Sequence, residues 1–169
     1  GDFAFYGCEG LVLAALSATA LVTLGECAFT DCSSLLELSL PTTVTSVGLG
    51  TVKGCGAMER MILPFVGGSA TENTYLGYLF GAESYPLTEG YIPAALLTVE
   101  LLDVMGDTLP DNAFYKCSSI KEIILPHGVT AVGRRAFYGC ARLTAVTLPD
   151  SVTSIGDEAF HGCIRMTEV

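Results

Sequence analysis

The chain has 169 residues, of which 50% are hydrophobic and 15% charged, and its formal net charge is −10. Such an apolar share excludes a disordered chain, and the length suffices for one domain with a sizeable core. The negative charge argues against nucleic acid or an anionic membrane as partner, because phosphate would be repelled. It suits basic protein partners and plain solubility alike.

Taken in chain order, the first apolar run is Leu11 to Leu24. It falls short of the roughly 20 apolar residues that span a bilayer. No basic segment precedes it, as would be expected of a signal peptide. It also keeps the register of the repeat described next, so it reads as core. No targeting segment is visible, and the sequence begins and ends in mid-repeat, as a fragment of a longer chain would.

The cysteines stand at 8, 27, 32, 55, 117, 140 and 163. The steps 32 to 55, 117 to 140 and 140 to 163 are each 23 residues. Leu40-Pro41, Leu63-Pro64, Leu125-Pro126 and Leu148-Pro149 follow the same beat. Two independent markers with one period are the signature of a solenoid. The last full unit, CARLTAVTLPDSVTSIGDEAFHG from Cys140 to Gly162, shows how one coil is built. Leu143, Val146 and Leu148 point inward, and Ala145 and Thr147 point outward, as alternation along a strand requires. Pro149 ends the strand because it has no N–H for the ladder. Val152 and Ile155 form a second extended piece before a turn at Gly156. Ala159-Phe160 then begins a tight helical or 3₁₀ turn whose Phe plugs the core, and Cys163 closes the coil.

One coil cannot bury these residues alone, whereas stacked coils can. Seven strand-bearing segments at ~4.8 Å spacing give a rod on the order of 30 Å long, with one parallel ladder on each side. Three units depart from the pattern. The unit from Cys8 is one residue longer and has Leu16-Ser17 for Leu-Pro. Val52 stands where other units have Phe. Between Leu63 and Leu125 lie two units and roughly 16 extra residues, inserted after Pro64. The repeat resumes at Leu96, Val99 and Leu101. The organisation is therefore a single solenoid over 1–169 with a non-repeat insert at about 65–95.

The unit SVTSIGDEAFHGC, the opening GDFAFYGC and the insert PFVGGSATENTYLGYLFGA resemble the BspA-like leucine-rich repeat, in the form carried by surface proteins of gut Firmicutes. The resemblance implies a right-handed superhelix with parallel β ladders and short 3₁₀ or α turns. It implies a secreted or cell-surface protein that binds or adheres to a host or bacterial surface protein, with no catalytic residues and no cofactor. A stiff spacer that displays another domain is the alternative function. Carbohydrate binding through the insert is a further one.

Residues that could carry chemistry mostly fall into the repeat. Stacked cysteines have parallel Cβ vectors that fit poorly with a disulfide torsion, so they read as buried small hydrophobes. Cys27 takes the place of Arg135 and Glu158 and is expected to be exposed. His127 and His161 sit in different turns, away from any linear cysteine column, so no metal site is expected. Gly48-x-Gly50 lacks the Lys-Ser/Thr end of a phosphate loop. No nucleophile motif is present, and Asp157-Glu158 falls on a solvated turn.

Two surfaces are candidates for recognition. On the strand face the register places Leu13, Glu37, Arg60, Thr98, Glu122, Ala145 and Glu168 in one outward column. Ala15, Ser39, Ile62, Glu100, Ile124 and Thr147 form the next, with Ile62 and Ile124 exposed. Of these, Glu37, Arg60, Ile62, Glu100, Glu122, Ile124 and Thr147 are the binding candidates. On the insert, Tyr75, Tyr78, Phe80, Tyr85 and Tyr91 either anchor a partner or pack a small core of the insert's own.

Overall fold

The computed structural model describes residues 1–103 and 107–169. Its strands are β1 (Leu13–Ala15), β2 (Thr23–Leu24), β3 (Glu37–Ser39), β4 (Ser46–Val47), β5 (Arg60–Leu63), β6 (Thr98–Leu101), β7 (Thr108–Leu109), β8 (Glu122–Ile124), β9 (Ala131–Val132), β10 (Ala145–Thr147) and β11 (Ser154–Ile155). The longer strand of each coil joins one parallel sheet in the order β1-β3-β5-β6-β8-β10. A single bridge from Ala145 to Glu168 extends it into a seventh coil. The short strands make the second ladder. Rather than one unbroken ladder they form two pieces, β2-β4 and β7-β9-β11, because the insert lies between them.

The inward positions sit where the period places them. Leu38, Met61, Val99, Ile123 and Val146, at the strand centres, are all buried, as are Leu35, Met58, Leu96, Ile120 and Leu143 at the strand approaches. Each such side chain contributes about 1.5–3 kcal/mol relative to exposure. The plugging phenylalanines stack along the axis: Phe5 on Phe29 at 4.8 Å, and Phe114, Phe137 and Phe160 in a second column at 5.6 and 4.9 Å. The ends of the stack lack a neighbour on one side. For that reason Ile155, an inward position in a regular coil, is 52% exposed.

The Ala-Phe segments are hydrogen-bonded turns rather than helices, and the 3₁₀ helices among the described residues, Leu76–Phe80 and Tyr85–Gly90, belong to the insert. The reason is backbone conformation. Each turn contains two left-handed residues four apart: Cys27 and Asp31, Gly50 and Gly54, Asn112 and Lys116, Arg135 and Gly139, Glu158 and Gly162. A left-handed residue breaks a helix within one turn, at a cost of about 1 kcal/mol or more when it is not glycine.

Gly25, Gly48, Gly133 and Gly156 serve close approach rather than the left-handed conformation expected of turn glycines. A Cβ on Gly133 or Gly156 would lie 2.6 Å from the backbone nitrogen of Asp111 or Arg134 in the preceding coil. Side chains at this column would force the coils apart.

Candidate binding surface

The two outward columns are joined in the register read from the sequence. Leu13 pairs with Glu37, Glu37 with Arg60, Arg60 with Thr98, Thr98 with Glu122, and Glu122 with Ala145. Beside them run Ala15, Ser39, Ile62, Glu100, Ile124 and Thr147, although Ser39 is buried rather than exposed. Arg60 is the single base in these columns, and its Nη2 donates to Glu100 Oε2 at 2.8 Å across the β5–β6 seam. Glu37 and Glu100 are half-buried, while Arg60, Glu122, Ile124 and Thr147 are exposed. Ile62 is half-buried, against the expectation that it is exposed. It stands between buried Ser39 and half-buried Glu100 in its column, with the Arg60–Glu100 pair on the same seam. Over β8 and β10 the face dips into a concavity of about 540 Å³ lined by Lys121, Glu122, Ile124, His127, Thr147 and Pro149. Ile124, 39% exposed, is one of its apolar lining residues.

The insert is not a loop hung on the scaffold. In regular coils the Cys27 and Phe29 N–H groups donate to Leu49 and Thr51 carbonyls of the next coil. One coil later the corresponding donors, Gly50 and Val52, find the Tyr78 and Leu79 carbonyls of the insert at 3.0 and 2.9 Å. Leu76 N–H then donates to Ala113 at 2.9 Å, as Phe114 N–H does to Ala136. The 3₁₀ helix Leu76–Phe80 thus stands in for the missing Phe turn. Leu76, Leu79 and Phe80 join the main core, filling the space around Val52.

This placement decides the tyrosines. Tyr75 is buried, and its hydroxyl donates to the Ala82 carbonyl at 3.1 Å, so it offers no free face to a partner. Burial raises its pKa, with Tyr78 and Glu83 adding to the effect. Tyr78 is half-buried and edge-on to Tyr75; burial raises its pKa too. Tyr85 packs edge-on against Tyr115 of the regular repeat at 5.2 Å. Tyr91 is exposed. Of the insert aromatics, Phe80 and Tyr78 thus pack against the solenoid's core and Tyr85 against its flank, while Tyr75 packs within the insert itself.

Tyr85 begins a ladder that the sequence reading missed. Tyr115 stacks on Tyr138 at 5.1 Å, and Tyr138 on His161 at 5.0 Å. Ion pairs Lys116–Glu89 and Arg135–Glu158 run alongside. Glu89 raises the Lys116 pKa, and the Arg135 guanidinium lowers that of Glu158. The signal was present, since Tyr115, Tyr138 and His161 each follow a plugging Phe at the 23-residue period.

The cysteines do more than fill space. The thiols of Cys32, Cys55 and Cys140 each donate to the carbonyl of the plugging Phe in the preceding coil at 3.1 Å, and Cys163 does so at 3.2 Å. Burial pushes the Cys55 thiol up to about 12, and those of Cys117 and Cys140 well above the ordinary range. Such thiols are poor nucleophiles. Cys8, at the end of the stack, is exposed rather than buried. Cys27 is half-buried rather than exposed: it shares the left-handed backbone of Arg135 and Glu158, but its short side chain ends against the Leu49 carbonyl instead of extending into solvent. Among the described residues no group of three or more His, Cys, Asp or Glu is placed to hold a metal, and no helix is long and apolar enough to cross a membrane.

The BspA type leucine rich repeat region matches residues 1–77 and 107–169 in six copies. The chain belongs to this family. The interruption between the matched stretches falls on the insert and the coil that follows it. Among solved structures, a leucine rich cell surface protein of Faecalibacterium prausnitzii has a TM-score of 0.50 at 23% identity, covering 87% of this chain and 42% of that one. A leucine rich repeat protein of T. pallidum gives 0.39 at 25% identity, covering 86% and 50%. One from Bacteroides ovatus gives 0.34 at 21%, covering 100% and 63%. The chain thus spans about half the length of the first two. No curated protein matches it.

Proposed function

We propose that this solenoid is a non-catalytic adhesion module of a secreted or cell-surface bacterial protein, docking a host or bacterial surface protein on its strand face. The observation that carries the reading is the continuous six-stranded sheet, whose two outward columns present aliphatic and acidic groups in fixed register. Repeat stacks use such extended faces for recognition. The acids Glu37, Glu100, Glu122 and Glu168 favour a partner surface carrying Lys or Arg. The candidates on this face are Glu37, Arg60, Ile62, Glu100, Glu122, Ile124 and Thr147. On the insert, Tyr78, Tyr85 and Tyr91 keep exposed surface for a lesser role.

The test is a binding screen of the folded chain against extracellular-matrix proteins and intact host and bacterial cells. Two variants run beside it, Ile124→Asp with Glu122→Lys on the strand face, and Leu87→Ala with Tyr91→Ala on the insert. Circular dichroism verifies that each is folded. Binding lost in the first and kept in the second is the expected result. The reverse pattern moves recognition to the insert, and absence of any binding favours the spacer.

A further inference from the structure

We propose that the insert is a splice, coupling two separate repeat stacks across a break that runs through only one side of the solenoid. On the strand side nothing is interrupted: β5 pairs with β6 over four residues, from Arg60↔Thr98 to Leu63↔Leu101. On the turn side three periodic systems stop and restart at the same place. The second ladder ends at β4 and resumes at β7. The phenylalanine column runs from Phe5 to Phe29, is interrupted at Val52, and resumes at Phe114. The thiol-to-carbonyl chain links Cys32 and Cys55 to the coils before them, then Cys140 and Cys163 to theirs. Among the described residues Cys117, first after the break, finds the Tyr115 carbonyl of its own coil, at 4.0 Å.

What crosses the break on that side is the insert. Tyr78 and Leu79 carbonyls receive the last N–H groups of the first stack, and Leu76 N–H reaches Ala113 of the second. Lys116 of the second stack pairs with Glu89 of the insert at 2.8 Å. The insert holds its own shape through contact of its two 3₁₀ helices, where Gly77 lies so close to buried Thr88 that a Cβ would sit 2.5 Å from Oγ1.

Coils that contact only their neighbours unfold together only while each interface is strong. With the turn side spliced, the two stacks behave as one cooperative body. With the splice loosened, they stay tethered by the β5–β6 seam and the core side chains behind it, which is the geometry of a one-sided hinge. Arg60–Glu100 crosses that same seam on the outer face, so opening the break tilts the strand face at its centre.

The experiment is residue-resolved hydrogen exchange along a urea series on the full chain, which reads folding and not binding. It compares the native sequence with Gly77→Val, with Leu76→Ala, and with Val146→Ala as a control inside the second stack. The native chain and the control are expected to show one transition, with amides in 1–63 and 107–169 opening together. Either splice variant is expected to show two, with opening constants of the halves at least tenfold apart at one urea concentration. A single shared transition in the splice variants overturns the proposal, as does splitting in the native chain or in the control. Failure of both splice variants to fold overturns it as well, since the stacks would then not stand separately.

Discussion

The coils after Cys117 and the segment from Phe65 to Pro93 solve one problem in two ways. In the coils each turn repeats two left-handed residues, a plugging Phe and a Cys bonded to the preceding coil, so every donor meets an identical neighbour 23 residues away. The insert has no such neighbour. It reaches the same carbonyl and amide positions with a 3₁₀ helix and fills the same core with Leu76, Leu79 and Phe80. A solenoid thus tolerates a foreign segment when that segment reproduces the hydrogen-bonding edge and the volume of the turn it replaces. Similarity of sequence is not required.

The largest expected effect breaks the regular side of this comparison. Phe137→Ala removes a fully buried ring stacked between Phe114 and Phe160, and should cost about 3–5 kcal/mol in urea denaturation. A loss below about 1 kcal/mol would mean that the ring is not a core plug.

The next effect comes from alkali. The Cys55 thiol is raised from its ordinary 9.0 to about 12, with Cys117 and Cys140 raised in the same direction. A group whose folded pKa is raised contributes stability that is complete below the unfolded value and lost as pH climbs through the folded one. The urea midpoint should therefore hold up to about pH 9 and fall steadily toward about pH 12. A midpoint level across that window would contradict the burial of these thiols.

Val52→Phe sharpens the comparison itself. By the repeat pattern alone it restores the consensus plug and should stabilise. With the space beside Val52 already filled from the insert, it overpacks and should cost about 1–3 kcal/mol. The sign of the change in melting temperature decides between the two.

Smaller effects are expected at the turn backbone and on the surface. Gly139 has φ 72° and a Cβ there would crowd Lys116, so Gly139→Ala should lose about 1 kcal/mol by thermal melting. Arg60→Ala breaks a solvent-screened pair and should cost about 0.2–1 kcal/mol at low salt, and less at high salt.

The fold and the outward register were legible because both follow from a period. Once Cys and Leu-Pro fix it, Glu37, Arg60, Thr98 and Glu122 must share a column. Departures from the period were not legible in the same way. The insert has aromatics but no neighbour at 23 residues to say what they face, so the burial of Tyr75 could not be read. Ile62 is half-buried between Ser39 and Glu100 where Ile124, in the same column, is exposed, a difference that the period does not carry. Cys27 is half-buried because its thiol reaches only as far as the Leu49 carbonyl of the next coil, a contact that the longer Arg135 and Glu158 at this position do not announce. The Tyr115–Tyr138–His161 ladder was periodic, and attention to the position after each Phe finds it.

That the insert stands in for a missing turn is tested most directly by amide exchange at Gly50, Val52 and Leu76 under native conditions. These N–H groups are bonded to the Tyr78, Leu79 and Ala113 carbonyls, and should be protected as strongly as those of Phe29 and Phe114 in regular turns. Exchange at the rate of an open, solvated amide would show that the insert is an appended loop and that the coils close without it.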